Sequence, residues 1–339
     1  MITEDQFQQK VIAYQQQHGR HDLPWQVPAS PYRVLVSEIM LQQTQVKTVI
    51  PYFNRWMESF PTIQALADAS EEQVMAHWQG LGYYRRARNL KKAAQYIAEE
   101  LNGEFPRELE DIQSIPGVGR YTAGAIRSFA FNQWGPIVDG NVRRLFTRLF
   151  AIEGVPTQSK VDKQLWDISE RLTPTENNRV FAQGLLDIGA EVCKPKNPQC
   201  TNCPFSSDCE ARLTGRELEL PTKKPKKTAP VREYHFVCQL EQDQLVLEKR
   251  PPTGIWSSLW MLPQLERAPQ ELECKFEFEH TFTHFKMKGK VWYGSIPETN
   301  SHEVQEATRK GFKEEHVEQL GIPAPLKKHF QAIMSVLKS

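Results

Sequence analysis

Apolar residues return at helical spacing through roughly the first 212 residues of this 339-residue chain. In the segment YRVLVSEIMLQQTQV (33–47), apolar positions recur among polar ones every three or four residues. Such spacing predicts amphipathic helices joined by short connections. The predicted helices cover 33–47, 62–78, 84–101, 107–114, 120–131, 140–151, 160–171 and 177–192.

The pattern changes after residue 212. Residues 213–230 are rich in proline and lysine, which predicts an extended linker. Beyond the linker, alternating apolar and polar positions predict β-strands. The predicted strands are a hairpin of 234–240 and 244–250 and a pair within 276–296, and helical spacing returns near 301–319 and 324–337. The fold class is therefore mainly α at 1–212, followed by an α+β domain at 231–339.

Composition is that of an ordinary globular protein, with 40% hydrophobic and 24% charged residues. A net charge of +1 does not by itself indicate a nucleic-acid binder. No apolar run approaches the roughly 18 residues that span a membrane, and the polar start MITEDQFQQK does not resemble a signal peptide. We therefore expect no membrane association and a reducing compartment, the cytoplasm.

Four cysteines lie within seventeen residues, with the spacing C-x6-C-x2-C-x5-C. A reducing compartment favours metal-ligating thiols over disulfides at this spacing. Two hypotheses compete, a tetrathiolate zinc site and an iron–sulfur cubane. Zinc sites usually use two close cysteine pairs and only one is present, so the spacing favours the cubane. The four residues are Cys193, Cys200, Cys203 and Cys209.

A Gly/Pro-rich turn lies between two predicted helices in IQSIPGVGRYTA (112–123). Gly117 and Gly119 allow a tight turn and leave backbone N–H groups uncovered at the start of the second helix. Such a helix start attracts phosphate oxygens. The turn carbonyls can also hold a monovalent cation that bridges to phosphate. By itself this motif is equally compatible with a plain helix–helix turn.

Together with VDGNVRR (138–144), SEIMLQQTQV (37–46), GLGYYRRARN (80–89) and the four cysteines, this hairpin resembles the helix-hairpin-helix DNA glycosylases. Within that superfamily the chain resembles the adenine DNA glycosylases of the MutY family over essentially its whole length. The resemblance implies removal of adenine mispaired with 8-oxoguanine or guanine in double-stranded DNA, by a monomer carrying one 4Fe-4S cluster.

The resemblance also implies two lobes in the helical domain. A six-helix lobe would cover about 22–131 and contain the hairpin. An iron–sulfur lobe would combine about 1–21 with 132–212. The cluster would be structural and fix a loop that contacts DNA.

Two carboxylates carry the implied chemistry. Glu38 lies in an otherwise apolar and amide-rich helix, where burial would raise its pKa and keep it protonated as a general acid. Asp139 precedes a helix whose N-terminus would keep it ionised beneath the sugar cation, with Asn141 assisting. Tyr121 stands where bifunctional relatives carry a lysine that forms a Schiff base. The resemblance therefore implies a monofunctional glycosylase.

Further residues match DNA-contacting positions of the family. The adenine has to leave the base stack, so residues that fill the vacancy are expected. Expected to contact the bases are Gln43, Thr44 and Tyr83. Expected to contact the backbone are Gly117, Gly119, Arg143 and Arg86, with Arg85, Arg88 and Lys92 on the same helix as Arg86. Further phosphate contacts are expected from Arg144 and Arg148 after Asp139 and from Lys194 and Lys196 in the first cysteine loop. Leu23, Trp25 and Gln183 match the adenine pocket, although Leu23 and Trp25 equally suit a plain core.

The second domain resembles the Nudix-related domain that recognises 8-oxoguanine in this family. It contains no glutamate-rich box of the REx2Ex2EE type, so we expect recognition and not hydrolysis. Phe282, Thr283 and His284 match a motif usually written Phe-Ser-His. Two alternatives remain open: a pyrimidine-directed glycosylase of the same superfamily, and a non-catalytic iron–sulfur module that binds DNA.

Overall fold

The computed structural model describes residues 2–224, 228–251, 253–296, 309–317 and 320–338. It divides into two compact units, one of residues 1–68 with 89–225 and one of residues 69–88 with 226–339. Residues 69–88, which the sequence assigns to the helical domain, thus pack with the second unit. Among the described residues, no helix combines the length and the apolar character needed to span a membrane.

Helices occupy most of the chain up to residue 213. In chain order they are α1 (Glu4–His18), α2 (Pro31–Leu41), α3 (Val46–Ser59), α4 (Ile63–Asp68), α5 (Glu71–Trp78), α6 (Arg85–Glu100), α7 (Leu109–Ser114), α8 (Arg120–Ala125, continued by a π-helix, Ile126–Phe131), α9 (Gly140–Leu149), α10 (Ser159–Leu172), α11 (Asn178–Asp187, continued by a π-helix, Ile188–Val192) and α12 (Glu210–Leu213). This confirms the predicted helical class.

Among the described residues up to 213, the helices α1, α3 and the four-residue α12 were not among the predicted segments, and one predicted segment is divided. The helix α1 buries only Phe7, Val11 and Gln15, so its apolar signal is weak. The helix α3 carries Pro51 in its interior, which interrupts the helical pattern. The segment 62–78 is split because Ser70 caps α5, accepting a hydrogen bond from the backbone N–H of Gln73.

Aromatic rings hold the core of the first unit together. Phe7 of α1 stacks on Phe205 with ring centroids 4.8 Å apart and packs edge-on against Phe181 of α11. Phe146 of α9 joins the same buried cluster. Since Phe205 lies within the cysteine segment, this core connects that segment to the helix that begins after Asp139.

Two four-stranded sheets form the larger part of the second unit. The strands are β1 (Val231–Cys238), β2 (Leu240–Glu241), β3 (Gln244–Lys249), β4 (Trp260–Met261), β5 (Gln264–Leu265), β6 (Glu273–Thr281), β7 (Lys286–Tyr293) and β8 (Arg309–Phe312), with helices α13 (Glu314–Val317) and α14 (Ala324–Lys338). One sheet has the order β5-β1-β7-β6, with β1 parallel to β7. The other has the order β2-β3-β4, with β8 pairing β3.

The strand pairing corrects two predictions. The expected hairpin of 234–240 with 244–250 is wrong except at its tip, where β2 pairs β3, because β1 pairs β5 and β7 in the other sheet. The helix expected near 301–319 is wrong at 309–312, which form β8, and residues 301–308 lie outside the described residues. The strand pair within 276–296 is confirmed as β6 and β7.

Candidate active site

Glu38 is a buried carboxyl group near the end of α2. Ser30 caps this helix and Pro31 occupies its first turn, and nearly every residue from Tyr32 to Met40 is buried. Glu38 is only 5% exposed. Burial raises its pKa from 4.5 to about 7, a hydrogen bond with Tyr121 opposes the rise, and the nearby charge of Asp139 adds to it. A carboxyl group of this pKa is partly protonated at neutral pH and can donate a proton.

Tyr121 lies in the first turn of α8, directly after the Gly/Pro-rich turn, and forms a hydrogen bond with Glu38. Burial and the negative charges of Glu38 and Asp139 raise the pKa of Tyr121 well above its usual value. The phenol therefore stays neutral and serves as a hydrogen-bond donor to the carboxylate. A phenol has no amine with which to form a Schiff base.

Asp139 is the N-cap of α9. Its Oδ1 accepts hydrogen bonds from the backbone N–H groups of Asn141 (2.9 Å) and Val142 (2.7 Å). Its Oδ2 accepts one from the side-chain Nδ2 of Asn141 at 2.9 Å. Burial raises the pKa of Asp139, and these hydrogen bonds, with the charge of Arg144, oppose the rise. The hydrogen bonds at the helix N-terminus lower the pKa of Asp139, as expected, but burial raises this pKa by more.

Asn141 is held in place from two sides. Its Oδ1 accepts a hydrogen bond from Nη2 of Arg144 at 2.9 Å, while its Nδ2 reaches Asp139. Gly189 packs against it so closely that an added Cβ would lie 2.7 Å from the Cβ of Asn141. This geometry fixes the amide that points at the Asp139 carboxylate.

A cavity of about 290 Å³ opens beside Glu38. Leu23, Trp25 and Gln183, the three residues predicted for the adenine pocket, are buried and line it together with Glu38. Trp25 packs edge-on against Phe53 with ring centroids 5.4 Å apart. The structure thus brings these four side chains together in one apolar site with a few polar groups, the usual form of a small-molecule pocket.

Sequence reasoning missed the group that orients Gln183. Its Nε2 donates to Oδ1 of Asp187 at 2.9 Å, and Asp187 also accepts from Nε of Arg20 at 2.7 Å. A carboxylate only accepts hydrogen bonds, so the amide must turn its NH2 toward Asp187 and its oxygen away. The spacing of four residues on α11 offered a signal for Asp187, whereas nothing in the sequence pointed to Arg20.

The four cysteines line one cavity in the first unit. Burial raises the pKa of Cys200 and Cys209, and raises that of Cys203 to about 12, and a charge on Cys193 would add to each rise. Such thiols ionise only beside a compensating cation, which suits a metal centre. Within the described ranges, however, no three His, Cys, Asp or Glu side chains converge closely enough to hold a single metal ion.

Arginines predicted to contact phosphate take part in internal bonds. Arg143 pairs with Asp162 and donates to the carbonyl of Pro156 at 2.9 Å. Arg148 is buried and donates to the carbonyls of Lys194, Pro195 and Leu220. The side chain of Arg148 therefore organises the first cysteine loop, and DNA contact by Arg143 stays a prediction.

The predicted base-contacting residues lie on exposed turns. Gln43, with φ of 59°, is exposed in the turn after α2, and Thr44 is partly exposed beside it. In the hairpin turn, Gly117 has φ of 79° and packs against Asn89, so that position requires glycine. Gly119 has an extended conformation and open space around it, which leaves the backbone accessible.

In the second unit, Tyr83 is 46% exposed and has φ of 50°. Arg86, predicted to contact phosphate, is instead buried beneath it and donates to the carbonyls of Leu81 and Gly82, both at 3.2 Å. Its guanidinium lies 5.4 Å from the Tyr83 ring centroid. Arg86 therefore shapes the Tyr83 turn, and a phosphate contact by it remains untested.

The predicted recognition motif forms the turn between β6 and β7. The N–H of Phe282 donates to the carbonyl of Phe285 at 2.9 Å, and the two rings stack 4.7 Å apart. Thr283 and His284 are exposed at the tip, with Oγ1 of Thr283 3.4 Å from Nδ1 of His284. Both polar side chains are available to a ligand.

Comparison with known proteins defines the class of this fold and site. Residues 36–171 match the family described as HhH-GPD superfamily base excision DNA repair protein, and residues 234–332 match the NUDIX domain. A thermostable thymine-DNA glycosylase superposes with a TM-score of 0.57 at 27% identity, covering 62% of this chain and 97% of that one. Endonuclease III in a non-covalent DNA complex gives 0.53 at 25% identity, covering 63% and 99%. The chain carries a helix-hairpin-helix glycosylase domain of base excision repair.

Relatives that match most of this chain identify its family within the superfamily. The adenine DNA glycosylase of Buchnera aphidicola subsp. Acyrthosiphon pisum is 35% identical over 96% of this chain and 97% of the relative. The human adenine DNA glycosylase is also 35% identical, over 84% of this chain and 66% of the relative. The chain belongs to the adenine DNA glycosylase family, and it is a DNA-binding hydrolase of base excision repair.

Proposed function

We propose that this glycosylase excises adenine mispaired with 8-oxoguanine or guanine, with Glu38 as general acid and Asp139 as stabiliser of the sugar cation. The observation that carries the proposal is a buried carboxyl group of pKa about 7 lining the cavity that also contains Leu23, Trp25 and Gln183. The enzyme acts as a monomer on double-stranded DNA in the cytoplasm.

The two carboxyl groups divide the reaction. Glu38 protonates N7 of the flipped adenine, so the C1′–N9 bond breaks with the electron pair leaving on a neutral base. Asp139 stabilises the cationic sugar from the other face, or bonds to C1′ transiently, and Asn141 holds its Oδ2. Water then forms the new C1′–O bond and returns a proton to Glu38. This division of roles between two carboxyl groups is known from glycoside hydrolysis.

Gln183 suits adenine in particular. Because its NH2 group is engaged by Asp187, its oxygen is the group presented as a hydrogen-bond acceptor. Adenine offers an exocyclic amine as donor, whereas the pyrimidine thymine offers a carbonyl at the corresponding edge. The fixed amide therefore favours adenine over thymine, the pyrimidine that lacks this amine.

The chemistry is tested on a labelled duplex containing adenine opposite 8-oxoguanine, incubated under single-turnover conditions and then treated with hot alkali. Glu38→Gln is expected to slow excision by about 10²–10⁴-fold, the usual contribution of a general acid, and Asp139→Asn to abolish it. Glu99→Gln, on the exposed face of α6, is the matched control and should excise at the wild-type rate. Full activity in Glu38→Gln would overturn the assignment, and an inert wild type would favour the non-catalytic alternative.

Recognition of the partner base is assigned to exposed turns. Tyr83 stacks beside 8-oxoguanine. Gln43 enters the base stack where the adenine has left it, and Thr44 contacts the base opposite. Thr283 and His284 bind the oxidised base. Base–aromatic stacking is worth about 1–3 kcal/mol. The double variant Thr283→Ala with His284→Ala is expected to reduce the preference for 8-oxoguanine over guanine. An unchanged ratio of the two single-turnover rates would remove the recognition role.

A 4Fe-4S cluster is assigned to Cys193, Cys200, Cys203 and Cys209, because their spacing contains only one close pair and all four thiols line one cavity. A cubane binds each of four thiolates at a separate iron. When bound, the cluster would supply rigidity and not chemistry, by fixing the loop that contains Lys194 and Lys196. At the hairpin, backbone carbonyls of the turn at 115–119 would hold a monovalent cation, which would supply positive charge for a DNA phosphate.

The monofunctional character rests on Tyr121, which lacks an amine. No lasting covalent product is therefore expected when the enzyme is incubated with DNA and borohydride. Trapping at an abasic site as strong as that of a bifunctional glycosylase would contradict this assignment.

A further inference from the structure

The turn that presents Tyr83 has a backbone that needs support. Gly80, Gly82 and Tyr83 all have left-handed φ angles, of 99°, 70° and 50°. A left-handed conformation is rare for a bulky residue and persists only where surrounding bonds impose it. Arg86 supplies part of this support through the carbonyls of Leu81 and Gly82.

Arg88, two residues further along α6, binds a different turn of the same unit. Its Nη1 donates to the carbonyl of Ser257 at 2.8 Å and to Oγ of Ser258 at 3.2 Å, and its Nη2 donates to Oγ of Ser257. Ser257 is buried. A planar guanidinium can make such parallel bonds at once, which an ammonium cannot.

The turn that receives Arg88 has the same kind of backbone. Trp256 and Ser258 have φ angles of 53° and 62°. The N–H of Ser258 is bound by the carbonyls of Arg250 (3.3 Å) and Pro251 (3.1 Å). The Arg88 side chain therefore ties this turn to the start of α6, where the backbone N–H of Arg88 donates to the carbonyl of Tyr84, the residue after Tyr83, at 3.2 Å.

Trp256 then connects this turn to the recognition motif. Its ring centroid lies 5.5 Å from that of Phe282 and 5.8 Å from that of His280, and the residue is buried. Phe282 stacks in turn on Phe285 and closes the turn that exposes Thr283 and His284. Contacts therefore lead from the first turn of α6, just after Tyr83, through Arg88 and the Ser257 turn to Trp256 and the Phe282 turn.

We propose that Arg88 is a positioning residue that couples the Tyr83 turn to the Phe282–His284 turn, so that both recognise the base opposite adenine as one unit. This inference rests on the proposed preference for 8-oxoguanine. It reassigns Arg88 from the phosphate contact expected from sequence to a specificity-determining role that acts through Tyr83 and Thr283.

The test compares single-turnover excision of adenine opposite 8-oxoguanine and opposite guanine. Arg88→Gln is expected to slow the first reaction about tenfold, the typical effect of losing hydrogen bonds to a charged group, and to leave the second within about twofold. Ser257→Ala removes one acceptor without changing charge and should give a smaller loss, about threefold, on the same substrate only. Arg88→Lys keeps the charge and should resemble Arg88→Gln.

Non-additivity separates coupling from a merely local effect. Arg88→Gln combined with Thr283→Ala and His284→Ala should lose little more preference than the more affected parent, because residues acting as one unit give non-additive changes. In the free protein, amide exchange at Phe282 should accelerate in Arg88→Gln, since its N–H closes the recognition turn.

Arg85→Gln, on the exposed side of the same helix, is the charge control and should slow both substrates alike. Equal slowing of both substrates by Arg88→Gln, with full rescue by Arg88→Lys, would identify a phosphate contact and overturn the coupling. Unchanged rates in Arg88→Gln, or fully additive losses in the combined variant, would overturn it too. A wild type without preference for 8-oxoguanine would overturn both this inference and the proposed specificity, whereas the other outcomes concern Arg88 alone.

Discussion

Glu38→Gln should make the protein more stable while making it inactive. The folded-state pKa of Glu38 is about 7, against an ordinary value of 4.5. Each tenfold difference in proton affinity between folded and unfolded chains is worth about 1.4 kcal/mol. The charged carboxylate therefore destabilises the fold by roughly 3 kcal/mol at high pH. A glutamine at this position is neutral at every pH and avoids that cost.

Because the pKa of Glu38 is raised in the folded protein, stability depends on pH in a definite direction and over a definite pH range. Between about pH 4.5 and pH 7 the folded protein binds more protons at Glu38 than the unfolded chain, so stability falls as pH rises. Below this window the carboxyl group is protonated in both states, and above it the cost is constant. The stability advantage of Glu38→Gln should thus be small near pH 5 and grow by about 2–3 kcal/mol toward pH 8.

Urea unfolding of both proteins at about pH 5, 6, 7 and 8 measures this difference, with Glu99→Gln as the exposed control. The control should follow the wild type at every pH, because Glu99 is exposed. A gap between Glu38→Gln and wild type that stays constant across this range would refute the argument that burial of Glu38 sets its pKa. Gains in stability from loss of a functional group are expected where an active site is strained for its task.

Three further predictions concern the same unit. Tyr121→Phe removes the hydrogen bond that lowers the pKa of Glu38, so the alkaline decline of the single-turnover rate should move to higher pH than in wild type; a decline that moves lower would contradict this. Asp187→Asn frees Gln183 to rotate and should weaken excision by about tenfold, measured as kcat/KM well below the unfolding temperature of the variant, because loss of the Arg20 ion pair also lowers its stability. Phe205→Ala empties a buried site and should destabilise the fold by about 3–5 kcal/mol, with lower absorbance near 400 nm and fewer than about four irons per chain; full iron content would argue against a packed cysteine loop.

Sequence reasoning succeeded where a residue's neighbours along the chain determine its environment. Glu38 lies among apolar residues of one helix, so its burial follows from the local pattern. Asp139 directly precedes a helix, so its cap hydrogen bonds follow from position alone. The helical class and the strand pair of β6 and β7 around Phe282 are likewise local signals.

The remaining features depend on contacts between distant segments. Nothing near Arg20 indicates that it meets Asp187, and nothing near Arg88 indicates Ser257. Apolar and polar residues alternate in β1 as in one strand of a hairpin. Its pairing partners, however, are β5 and β7, which lie further along the chain. Charge alone suggested that Arg86 and Arg148 contact phosphate. Both side chains are instead buried and donate hydrogen bonds to backbone carbonyls.

The path of the chain has a consequence for how this protein is made. The ribosome releases residues 69–88 long before residues 226–339, with which they form a compact unit. Until synthesis ends, α5 lacks the segment around Gly321 that packs against Met75, and Arg88 lacks its acceptors on Ser257 and Ser258. This unit is thus completed last, so a chain truncated after residue 225 would lose the Ser257 acceptor of Arg88 as well as the turn of Phe282, Thr283 and His284.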